Sequence, residues 1–99
     1  MAVLMENRVE NGNTDFYDAV SERLGIDADK PDGMIVHTAI DEGGAGIRIV
    51  DVWESRDAFE SFRDSRLVSA IQAVAEEKGV PIEGPPTYEF SEIHHLVTA

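Results

Sequence analysis

One stretch limits what this chain can fold into more than any other: Gly46 to Arg66, GIRIVDVWESRDAFESFRDSR. Ile47, Ile49, Val50, Val52 and Trp53 make a β-branched and aromatic run of strand length. Ser55 follows directly as a helix N-cap, and Asp57 adds negative charge to the first turn. Phe59 and Phe62 then carry an apolar helical face. The indole at so tight a corner must lie between sheet and helix, so Trp53 is expected in the wall of any pocket there.

The remaining segments fall around this unit. A first strand spans about residues 2–9, and Asn11-Gly12-Asn13 is a turn signal. Thr14 caps a helix to Leu24, with Phe16, Tyr17, Val20 and Leu24 at helical spacing. Gly25 and Ile26 have the pattern of a Schellman stop. After the polar loop Asp27–Gly33, a strand over Met34–Asp41 leads through Glu42-Gly43-Gly44-Ala45 into the central strand. Simple alternation puts Met34, Val36 and Ile40 on one face of this hairpin, and Ile35, His37 and Ala39 on the other. Beyond Phe62 the helical phase slips, because Leu67 comes five residues later with Asp64-Ser65-Arg66 between; a kink or two short helices is expected there. Lys78-Gly79 ends the segment. Val80–Pro86 is a proline-rich connection, and Thr87–Val97 reads as a long last strand. The glycines at 43–46 are a hairpin turn and no phosphate loop, since neither a lysine nor a helix follows.

The order β-α-β-β-α-β predicts a single α+β domain over residues 1–99, the ferredoxin-like arrangement of one four-stranded antiparallel sheet with its helices on one face. The hairpin is apolar on both faces, so a second cover is needed, and a second copy's sheet would supply it. A homodimer closing into an α/β barrel is therefore expected.

Charge narrows the partners. Twenty acidic residues against eight basic give a net charge of −12, which repels nucleic acid and anionic lipid. No apolar run approaches membrane-spanning length, and no cysteine is available for disulfides or thiolate chemistry, which fits a cytoplasmic protein.

The corner VDVWESRDAFESF, with Trp53-Glu54-Ser55 at its centre, resembles that of the dimeric α/β-barrel superfamily, in its antibiotic biosynthesis monooxygenase-like branch. The segment NGNTDFYD leading into the first helix, the strand GMIVHTA and the ending Ile93-His94-His95-Leu96-Val97 add to the resemblance. It implies a homodimer with a small apolar pocket in each subunit. It also implies activities that range from metal- and flavin-free oxidation of aromatic polyketides to none known. Many members carry a histidine in the helix after the tryptophan; here that helix reads Phe62-Arg63-Asp64.

Candidate chemical residues follow from type and place. His37 lies mid-strand and is the best-placed group with an ordinary pKa near neutrality. Asp51 shares a face with Ile49 and Trp53, where a carboxylate must be paired or protonated. These two are the candidate proton acceptors. Trp53, Tyr17, Phe59 and Phe62 are candidates for binding an aromatic ligand, and Arg63 for meeting its anionic oxygen, although arginine pairing on a solvated helix explains Arg63 as well. His94 and His95 are adjacent, point to opposite sides of a strand and cannot chelate one metal, so no metal or other cofactor is expected.

Two functions of different kinds are consistent with these residues. One is a cofactor-free enzyme that removes a proton from an aromatic or polyketide-like substrate in a pocket between sheet and helices. The other is a non-catalytic dimeric module that binds a small apolar ligand or only its partner subunit. Haem binding would need a histidine facing the pocket.

Overall fold

A computed structural model describes residues 1–9, 14–81 and 87–99; the Asn11-Gly12-Asn13 turn and most of the proline-rich connection lie outside them. Strand β1 spans Val3–Val9, helix α1 Thr14–Leu24, β2 Met34–Asp41, β3 Ile47–Trp53, α2 Arg56–Phe62, α3 Val68–Lys78 and β4 Glu89–Glu92. The sheet runs β2-β3-β1-β4 with every neighbouring pair antiparallel, the ferredoxin-like α+β arrangement.

The corner forms as the sequence requires. Ser55 is extended at φ −158°, ψ 163°, and its Oγ accepts the Ala58 N–H at 3.1 Å. The Glu54 N–H donates to the Gly33 carbonyl at 2.8 Å, which draws the loop before β2 tightly against α2. Gly33 has φ +86°, and a Cβ there would stand 2.6 Å from the Ala58 Cβ. Only glycine fits that approach.

The phase slip after Phe62 is absorbed without breaking the helix. Residues Arg63–Leu67 form a π-turn whose wider winding returns Leu67 to the packed side, where it touches both apolar clusters. The helix stops differ from the expected pattern. Gly25 (φ +66°) ends α1 with a single bond from its N–H to the Ser21 carbonyl, an αL stop, while the Schellman pair falls at the end of α3, where the Val80 N–H reaches the Ala75 carbonyl.

Two strands depart from simple alternation. In β2, Met34 pairs with Trp53 and Val36 with Val52, so Ile35 is the extra residue of a bulge. Met34 thereby moves to the face of His37 and Trp53 and joins the core, instead of lying with Val36 and Ile40. The last strand is four residues, not eleven. Its partner sets that limit: β1 begins at Val3, which pairs with Glu92, and past that pair the Ile93 N–H reaches the Ala2 carbonyl.

One face of the sheet packs the helices through Val3, Met5, Ile26, Trp53, Phe59 and Phe62, and Val20, Ala70 and Val74 join α1 to α3. The other face has no cover among the described residues: Val36 and Ile40 are exposed, and Leu4, Val50 and Val52 only partly buried. At its end Arg48 lies 3.4 Å from Glu42 and 3.7 Å from Glu6, and Arg8 lies 3.3 Å from Glu42.

Candidate active site

The turn between Asp41 and Ile47 sets the hairpin register, and that register places His37 directly opposite Asp51. Cross-strand pairs share a face, so both side chains point toward the helices. His37 Nδ1 and Asp51 Oδ1 are 2.7 Å apart. Tyr17, on the sheet-facing side of α1, brings its hydroxyl to 2.6 Å from His37 Nε2. The Trp53 Nε1–H donates to the second carboxylate oxygen of Asp51 at 3.1 Å. One unbroken chain of hydrogen bonds thus runs from a half-buried phenol to the indole in the core.

One tautomer of His37 satisfies both of its partners. An ionised Asp51 only accepts, so Nδ1 of His37 donates to it, and a neutral imidazole then offers its Nε2 lone pair to the Tyr17 O–H. The two ring planes lie within 14° of each other with centroids 6.1 Å apart. Asp51 is 3% exposed, and a buried carboxylate is tolerable because both of its oxygens are bonded. Burial pushes the Tyr17 phenol above its ordinary pKa; a hydrogen bond with Ser21 opposes this, and the charges of Asp51, Asp18 and Asp27 reinforce it. The relay can take a proton at the phenol oxygen while His37 receives the phenol's own proton, with Asp51 holding the resulting imidazolium. That is the orientation logic of an acid–base–nucleophile triad with a phenol at the outer end.

The other candidates lie elsewhere or act differently. Trp53 is fully buried, edge-packed by Phe59 at 5.5 Å and tilted on Phe62 at 5.4 Å between centroids. It reaches the site through its N–H edge rather than through its ring face. Phe59 and Phe62 are core residues, and Phe59 also touches Tyr88 and Phe90. Arg63 is occupied by Asp64 at 2.9 Å and Glu60 at 3.8 Å along its own helix. His94 and His95 are exposed after β4. Both nitrogens of His37 are engaged, and among the described residues no group of three or more His, Asp or Glu side chains could hold a metal. Asn7, which the sequence did not single out, is buried on the same sheet face and ties β1 to the chain before β4 by donating to the Thr87 carbonyl at 2.8 Å. Its type gave no signal; only the register shows where it points.

No helix of the described residues is long and apolar enough to cross a membrane. No family model matches the chain, and no curated protein sequence does. Solved structures do. A protein of unknown function from Nitrosomonas europaea superposes with a TM-score of 0.66 at 15% identity, covering 99% of this chain and 92% of that one. SnoaB, a cofactor-independent oxygenase from Streptomyces nogalater, gives 0.62 at 16% identity, with 97% and 96% covered. The monooxygenase ActVA-Orf6 of Streptomyces coelicolor, solved with nanaomycin D, gives 0.58 at 16% identity over 99% and 91%. The fold is therefore that of the antibiotic biosynthesis monooxygenase-like proteins, as the corner motif suggested.

Proposed function

We propose that this chain is a cofactor-free enzyme that removes a proton from an aromatic or polyketide-like small molecule, with Tyr17 meeting the substrate and His37 and Asp51 carrying the proton inward. The observation that carries this reading is the Tyr17–His37–Asp51 chain at 2.6 and 2.7 Å, anchored by a buried carboxylate. Such alignment supplies an acid–base group without help from a bound group. The shared fold with cofactor-independent oxygenases supports the same chemistry. In an oxygenase of this kind the carbanion left by proton removal is attacked by dioxygen; a CH2 group and O2 then give a carbonyl and water, so dioxygen supplies all the oxidising power. Trp53 holds Asp51 in place through its N–H.

The test is turnover of a hydroquinone or anthrone panel. His37→Ala should lower the rate by about 10² to 10⁴ while the protein stays folded. Full activity in that variant would return His37 to a structural role and make Asp51 the next candidate base; no turnover by the unaltered protein on any member of the panel would leave the chain as the non-catalytic ligand-binding module.

The reading includes a homodimer. The uncovered sheet face, with Val36 39% and Ile40 36% exposed, supports a second copy as its cover. Sedimentation equilibrium should give a dimer at micromolar concentration; a stable folded monomer would remove this part.

A further inference from the structure

We propose that Tyr17 also gives up a single electron, reducing an organic peroxyl radical while its phenolic proton passes to His37. This goes beyond proton removal from a substrate, because Tyr17 itself is the group oxidised. It needs only the hydrogen bonds at 2.6 and 2.7 Å.

The sequence leaves three good one-electron donors: there is no cysteine, one tryptophan and two tyrosines. The structure separates them. Trp53 is 0% exposed, so no diffusing radical reaches it. Tyr88 is partly exposed and packs edge-on against Phe59, 4.8 Å between centroids, but among the described residues no base accepts its hydroxyl proton. Tyr17 is partly exposed and holds its hydroxyl 2.6 Å from His37 Nε2.

That hydrogen bond decides the case. A phenol that has lost an electron is a strong acid, so it is oxidised most easily where a base stands ready for its proton. Ionising first is the costly route at Tyr17, because burial raises the phenol pKa. When electron and proton leave together, neither a buried phenolate nor a radical cation forms. Asp51, 2.7 Å from the far ring nitrogen, then holds the imidazolium.

The balance closes without any further reactant. One electron passes from the phenol to the peroxyl radical; the Tyr17 O–H bond breaks and an N–H bond forms at His37 Nε2. The products are a neutral phenoxyl radical, an imidazolium beside Asp51 and a hydroperoxide anion, which takes a proton from water. Peroxyl radicals are the class formed when a carbon radical adds dioxygen.

The experiment exposes the full chain, without substrate, to peroxyl radicals from a water-soluble azo initiator in air. Peptide mass spectrometry follows the loss of each tyrosine, and electron paramagnetic resonance of freeze-quenched samples identifies the radical. Tyr17 should be consumed before Tyr88. The phenoxyl signal should vanish in Tyr17→Phe and persist in Tyr88→Phe. His37→Ala should slow the loss of Tyr17 by about 10² to 10⁴, the usual contribution of a positioned proton acceptor. In the unaltered protein that loss should slow in heavy water, which a merely structural histidine would not produce. Equal consumption of the two tyrosines, first loss at Trp53, or a Tyr17 rate insensitive to His37→Ala or to heavy water overturns the proposal. No substrate is present, so these outcomes stand apart from hydroquinone turnover.

Discussion

The helix-covered face of the sheet has two halves built on opposite rules, and they meet at one carboxylate. Beneath α2 the space is filled by rings: Trp53, Phe59 and Phe62 are buried, with Tyr88 and Phe90 closing over Phe59. Beneath α1 it is filled by hydrogen bonds, and Tyr17 and His37 keep partial access to water. Asp51 accepts from Trp53 on the dry side and from His37 on the wet side. The dry half fixes where the carboxylate sits, and the wet half uses it. A base held by a single strand would wander, whereas one whose counter-ion is locked by a buried indole keeps the alignment that proton transfer requires.

The largest expected effect tests which half carries stability. Trp53→Ala removes the biggest buried side chain and leaves a cavity against Phe59 and Phe62, which should cost about 3–5 kcal/mol in urea denaturation. His37→Ala removes one donor from a buried carboxylate that keeps its indole bond, and should cost about 1–3 kcal/mol. The two variants therefore separate: one mainly loses stability, the other mainly turnover. Equal midpoints would break the comparison, because the aromatic half would then be no more essential to stability than the polar one.

The dry half was largely legible in the sequence. Ser55 and the apolar spacing of Phe59 and Phe62 mark the start and face of α2, and the five-residue step to Leu67 marks the site of the π-turn. Both are local signals. The wet half was legible only as separate residues. His37 and Asp51 stood out by type, but their pairing depends on a hairpin register set by a turn whose length alternation does not reveal. Tyr17 shares a helical face with Phe16 and Val20, so spacing alone makes it a core ring; only the placement of α1 over β2 makes it the outer end of a relay. The length of β4 failed for a related reason. Its own alternation continues to Val97, but a strand ends where its neighbour does.

The smallest expected effect comes from the chain's two tyrosines, one in each half. Burial is the largest cause that raises the pKa of each phenol. The next causes differ: Ser21 lowers Tyr17 and Asp51 raises it, whereas Arg63 lowers Tyr88. The folded protein therefore holds both protons where the unfolded chain releases them, near pH ~10. Stability from this source is complete below that pH and is lost as pH rises through the folded values, with no effect at neutrality. Alkaline absorbance titration resolves the two by comparing Tyr17→Phe with Tyr88→Phe. In Asp51→Asn the Tyr17 transition should move down, because a negative charge that opposed ionisation is gone, and Tyr88 should stay where it was. Arg63→Ala should do the converse, moving Tyr88 up and leaving Tyr17. If Asp51→Asn moves both tyrosines together, the carboxylate is felt across the whole face and the boundary drawn at Asp51 does not exist.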